Sequence, residues 1–139
     1  MTIRSAAMIA GTLMLALAAC VTTGDTAPNL AGSSWQATRL GDGTAVADPA
    51  RLALAFATDG TVAVRADCNR GSGTWRSPAP GAITFGAIAT TRMACLDSTQ
   101  GDRFLADLTK AERYRVEDQN LLLEPTAGAG PLVLRAAPR

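Results

Sequence analysis

Between Arg51 and Ala66 the chain alternates large apolar and small or polar residues. Leu52, Leu54 and Phe56 are spaced by alanines, and Val62 and Val64 by Ala63 and Arg65. A period of two places every second side chain on one face of a half-buried strand. Asp59-Gly60 lies between the two runs and marks a hairpin. A two-residue loop would pair Phe56 with Ala63 and put the valines on the face opposite the leucines. A three-residue loop, Thr58 to Gly60, pairs Phe56 with Val62 and Leu54 with Val64. Register follows the buried face, so the longer loop is predicted, with Gly60 left-handed in a bulge.

Further strands are predicted over Ser33 to Leu40, which carries Trp35, and over Gly73 to Arg76, which carries Trp75. Gly71-Ser72-Gly73 reads as a tight turn before the second of these. An anion-binding nest would need a helix N-terminus and a lysine beside it. Ser77-Pro78-Ala79-Pro80-Gly81 ends that strand, and Ala82 to Gly86 follows with Ile83 and Phe85 on one side. The period then changes. From Leu96 to Ala111, Gly101, Phe104, Leu105, Leu108 and Ala111 form an i, i+3, i+4 stripe, with Asp97 or Ser98 as N-cap. Tyr114 to Glu117, Leu121 to Glu124 and Leu132 to Arg135 give three closing strands. Strands joined by short turns around one inserted helix imply an α+β, mainly antiparallel fold, a curled sheet or small β-barrel.

Residues 1–19 belong to a different kind of segment. Arg4 supplies a positive start and Met8 to Leu17 an apolar run too short to cross a bilayer, which is the pattern of a signal peptide. Leu17-Ala18-Ala19-Cys20 resembles the bacterial lipobox, in which the cysteine is lipidated and becomes the mature N-terminus. A multiply acylated Cys20 would anchor stably, since each buried methylene contributes ~0.8 kcal/mol. Valine at position 21, by analogy with lipoprotein sorting, favours the outer membrane and a domain facing the periplasm. Residues 20–29 read as the lipidated cysteine and a flexible tether, and 30–136 as one folded domain.

Composition narrows the chemistry. The 139 residues include 13 Lys+Arg, 12 Asp+Glu and no histidine. Removing the leader takes away Arg4 alone, so the mature chain carries 12 of each sign and offers no electrostatic steering. Nucleic acid is disfavoured as a partner for the same reason. Without histidine there is no Ser-His-Asp or Cys-His catalysis and no His-ligated zinc. Thr90, Thr91 and Ser98 have no base partner and read as capping or backbone-bonding residues. No catalytic residue, cofactor or metal is therefore assigned, and the chain is expected not to be an enzyme.

With Cys20 assigned to lipid, Cys68 and Cys95 remain. An exported protein with two further cysteines most often pairs them, and closing this loop would stabilise the fold by about 3–4 kcal/mol. Two unpaired buried thiols are the alternative. A redox pair is weaker, because a separation of 27 positions is unlike Cys-x-x-Cys. Weaker still is a metal site that adds Asp67 or Asp97. Asp67 and Asn69 flank Cys68 as turn formers, and Trp35 and Trp75 suit the core of so small a barrel.

Several segments in order resemble the META (HslJ-like) domain family. They are Leu30-Ala31-Gly32-Ser33-Ser34-Trp35, Leu54-Ala55-Phe56 with Asp59-Gly60, and Asp67-Cys68-Asn69-Arg70 followed by Gly71-Ser72-Gly73-Thr74-Trp75. Ile83-Thr84-Phe85-Gly86 and Ile88-Ala89-Thr90-Thr91-Arg92-Met93-Ala94-Cys95 follow, and the helix around Phe104 and Leu108, then Tyr114 and Leu121 to Leu123, continue in order. Asp67 departs from the family's usual glycine, which suggests a left-handed or crowded position. The resemblance implies a barrel-like domain without established catalytic residues, often an envelope lipoprotein linked to heat response and novobiocin tolerance. The expected role is to bind another envelope component, a protein, from an outer-membrane lipid anchor on Cys20. The alternative is a carrier holding a small apolar ligand inside the barrel.

Overall fold

A computed structural model of the chain describes residues 27–96 and 100–139. Its strands are β1 (Ser34–Arg39), β2 (Leu52–Phe56), β3 (Thr61–Ala66), β4 (Asn69–Arg76), β5 (Thr84–Phe85) and β6 (Ala89–Thr90). After the helix α1 (Gln100–Lys110) come β7 (Ala111–Glu117), β8 (Asn120–Pro125) and β9 (Leu132–Ala136). The sheet runs β5-β4-β3-β2-β1-β9-β8-β7, with β6 also paired to β4, and every pairing is antiparallel. The two ends of this order, β5 and β7, come together, so the sheet curls into a nearly closed barrel. One seam stays without a continuous ladder. There the Ile83 amide donates to the Glu112 carbonyl at 3.0 Å and the Tyr114 amide to the Gly81 carbonyl at 2.8 Å.

The β2–β3 hairpin has the predicted register, Phe56 opposite Val62 and Leu54 opposite Val64. Ala57 and Thr61 close the three-residue loop, and Gly60 is left-handed at φ 86°. Leu52, Leu54 and Phe56 consequently share one buried face with Val62, Val64 and Ala66. Leu121 and Leu123 of β8, Leu132 and Leu134 of β9, and Phe104 and Leu108 of α1 complete the interior. Each such side chain stabilises by roughly 1.5–3 kcal/mol when fully buried. Phe56 meets Trp75 edge-on, with ring centroids 4.9 Å apart.

Three boundaries differ from the sequence reading. Gly71-Ser72-Gly73 is not a turn; it lies inside β4, which begins at Asn69. A β-carbon at Gly71 would stand 2.6 Å from the Ala89 carbonyl oxygen, so glycine is what lets β6 approach. That short strand was invisible to periodicity because only two residues pair. The helix starts at Gln100 rather than Leu96, and Ala111 already belongs to β7. Its proposed caps, Asp97 and Ser98, fall outside the described residues, as do the signal peptide, Cys20 and the tether up to Thr26. Among the described residues no helix is long and apolar enough to cross a membrane.

Candidate functional site

The turn between β3 and β4 organises one corner of the barrel. Ala66 pairs with Asn69, which leaves Asp67-Cys68 as a two-residue turn with Asp67 left-handed at φ 58°. Non-glycine residues adopt that conformation at a cost of roughly 1–2 kcal/mol. The cost is offset by what the side chain does. The Asp67 carboxylate is buried and accepts the Gly101 amide at 2.6 Å, one of the first amides of α1. Amides in a helix's first turn have no partner inside the helix, and negative charge is favoured there. The close approach requires Gly101, where a β-carbon would lie 2.6 Å from Asp67 Oδ2 and 3.1 Å from the Ala66 carbonyl carbon.

Cys68 and Cys95 form a disulfide with their Cα atoms 5.6 Å apart. Asn69 reinforces it. Its Oδ1 accepts the Thr91 hydroxyl at 2.9 Å and the Met93 amide at 2.7 Å, while its Nδ2 donates to the Met93 carbonyl at 3.1 Å. Thr91 in turn accepts the Arg70 amide on its hydroxyl at 3.1 Å and donates its own amide to the Arg70 carbonyl at 2.9 Å. The segment from Thr91 to Cys95 is thus fixed by one covalent bond and several hydrogen bonds. Beside it opens a cleft of about 420 Å³, lined by Asp67, Asn69, Arg92, Cys95, Asp102 and Leu105 among others. Met93 is 58% exposed and Leu96 98%, the two exposed large apolar side chains among the described residues.

The two predicted disulfide cysteines are therefore brought together, and Thr91 bonds the backbone as expected. Trp35 is core, its Nε1 donating to the Ser33 hydroxyl at 2.7 Å, and Tyr114 is buried with its hydroxyl donating to the Pro28 carbonyl at 3.0 Å. Trp75 is half-buried and donates to the Ala57 carbonyl at 3.3 Å. None of these aromatics offers an exposed contact surface. Sequence reasoning missed the exposure of Met93 and Leu96, which depends on where the disulfide holds their segment. It noticed Asp67 as a departure without finding its helix partner. Among the described residues no group of three or more Cys, Asp or Glu side chains is placed to hold a metal. The Asp59 carboxyl sits below its ordinary range because the Thr61 hydroxyl and amide both donate to it.

The architecture recurs in solved structures. A protein from Burkholderia xenovorans, known from an NMR structure, is 25% identical at a TM-score of 0.62, over 79% of this chain and 85% of that one. A DUF4847 family protein from Bacteroides vulgatus, known from a crystal structure, shares the fold at 18% identity and a TM-score of 0.55, over 77% and 93%. No curated protein matches the chain. The META domain family model matches residues 28–138, which takes in the Asp67–Arg70 turn, the clamped Thr91–Cys95 segment and every strand. The chain belongs to the META domain family.

Proposed function

We propose that this META domain is a non-enzymatic lipoprotein, anchored in the outer membrane through Cys20, that acts in envelope stress or antibiotic tolerance by binding another envelope component. One observation carries the binding reading: Met93 stands exposed on a segment that a disulfide and Asn69 hold in place, and exposed Leu96 follows that segment directly. A fixed segment loses little conformational freedom on binding, so more of the contact energy appears as affinity. The anchor rests on Leu17-Ala18-Ala19-Cys20 alone.

A carrier of a small apolar ligand has less support. Among the described residues, buried apolar side chains occupy the interior, and clefts such as the one beside Cys95 open at the surface. Organic extraction followed by mass spectrometry separates the readings, since a stoichiometric ligand would revive the carrier. The direct test is cross-linking in intact cells, comparing wild type with Cys20→Ala and with Met93→Ser/Leu96→Ser. A partner captured by wild type and lost from both variants is the expected result. Equal capture by all three would sink both the anchor and the surface.

A further inference from the structure

The charges of this chain cancel in sum but not in space. Strands β1 to β6 and β9 together carry Arg39, Arg65, Arg70, Arg76 and Arg135 and no Asp or Glu. The carboxylates of the barrel wall, Glu112, Glu117 and Glu124, are all on β7 and β8, and Asp102 and Asp107 are on α1. The pairing registers align Arg135, Gln36, Ala53, Arg65 and Arg70 in one row across β9, β1, β2, β3 and β4. Arg76 lies farther along β4 on the same side, and all four of these arginines are exposed.

Arg65 and Arg70 are direct cross-strand partners. Like charges placed so destabilise a sheet, and a carboxylate on a neighbouring strand would relieve them. None is there. The ion pairs among the described residues are Arg103 with Asp42 and Arg115 with Glu117 and Glu124, all away from this face. The nearest carboxylates along the chain are Asp59, bonded to Thr61 in the far turn, and Asp67, buried on the inner side. Arg65 gains one contact, its Nε donating to the Asp67 carbonyl at 3.5 Å, but neither Arg65 nor Arg70 has an ion pair among the described residues, so the fold gains little from placing the two opposite one another.

We propose that the outer face of β9-β1-β2-β3-β4 docks on the anionic headgroups of a bilayer, laying the barrel against the membrane by its arginine side. Between the arginines this face presents Ala53, Ala55, Ala63, Ser72 and Thr74. It has no aromatic or large aliphatic anchor of the kind that dominates protein interfaces, and no aromatic on which a base could stack. A flat array of guanidinium groups, each able to fork onto phosphate oxygens, matches a surface of lipid phosphates. The inference rests on the lipid anchor at Cys20 for its setting. Six residues separate Cys20 from Ala27, a reach over the seven steps of up to about 25 Å, against a domain radius of gyration of about 13 Å. The face can therefore meet the bilayer that holds the anchor.

The test uses the mature chain with Cys20→Ser, so that no acyl chain contributes, in flotation with vesicles of phosphatidylglycerol in phosphatidylcholine or of phosphatidylcholine alone. The expected result is binding to the anionic vesicles only, weakening as salt rises. Arg65→Gln, Arg70→Gln and Arg135→Gln should each lower the partition coefficient about fivefold, while Arg113→Gln on β7 leaves it nearly unchanged. Arg70→Gln removes a like-charge contact and no side-chain bond among the described residues, so its melting temperature should match or exceed that of wild type, which separates lost binding from lost folding. Equal binding to both vesicles, or variants that bind like wild type, would overturn the proposal. So would absence of vesicle binding together with a protein cross-linked through position 65 in cells. Whether Cys20 is acylated is read separately from the mass of the N-terminal peptide, so failure of the anchor and failure of this face are distinguishable.

Discussion

Two places in the barrel lack an ordinary ladder, and they are closed by different means. At the corner where the β3–β4 turn meets the start of α1, a disulfide, the Asn69 side chain and the Asp67 carboxylate hold three segments together. At the seam between β5 and β7, backbone bonds at Ile83 and Tyr114 bridge the gap, with the Tyr114 hydroxyl reaching Pro28. Side-chain chemistry closes the corner and leaves apolar residues on display beside it. The seam relies on a few backbone bonds and should open first. A fold this small can fix a surface segment firmly without extending its sheet.

The largest effect is expected from breaking the corner covalently. Cys68→Ala/Cys95→Ala should lower unfolding free energy by about 3–4 kcal/mol from loop entropy, measured in urea. A loss below about 1 kcal/mol would show that Asn69 and Asp67 hold the corner without the bond. Next comes the pair Asp67→Ala and Asp67→Gly. Alanine loses the cap and keeps the left-handed strain, so about 1–2 kcal/mol should be lost. Glycine loses the same cap but relieves the strain, so its cost should be near zero. Equal losses in the two variants would mean that the backbone conformation at 67 carries no strain.

The seam should respond less. Tyr114→Phe removes the hydrogen bond to Pro28 and should cost about 1 kcal/mol. Native-state hydrogen exchange should show the amides of Ile83 and Tyr114 opening before those of Val62 and Val64, and the reverse order would cancel the contrast. The smallest effect lies away from both places. Asp59 has its folded pKa depressed, so its stabilising contribution is present above the unfolded pKa and is lost as pH falls through the folded one. Thr61→Val removes the hydroxyl donor, and NMR titration should then move the Asp59 midpoint upward. An unmoved midpoint would assign the shift to the Thr61 amide.

Much of the fold was legible because its signals are local. The alternation in Leu52 to Phe56 and Thr61 to Ala66, with Asp59-Gly60 between, decides both strands and their register, since a slip of one residue would expose the whole apolar face. The helical stripe from Gly101 to Leu108 is equally local. Strand β4 was cut short because glycine weakens any strand pattern, whereas at Gly71 the residue is required by Thr90, which pairs with it from nineteen positions away. The disulfide is the leading expectation for the two cysteines left once Cys20 is read as a lipidation site, and the structure joins them.

By itself, then, the sequence determined the class of fold, the hairpin register and the helix face, because periodicity and residue type carry that information within short spans, and it left the pairing of Cys68 with Cys95 as the favoured of several readings. Only the tertiary structure decided that Asp67 caps α1, that Met93 and Leu96 stay exposed, and that the outer face of β9-β1-β2-β3-β4 gathers arginines with no carboxylate on its strands. Those features join residues distant in the chain. A net charge near zero is a sum over positions, and no sum records which side of a barrel each charge is on.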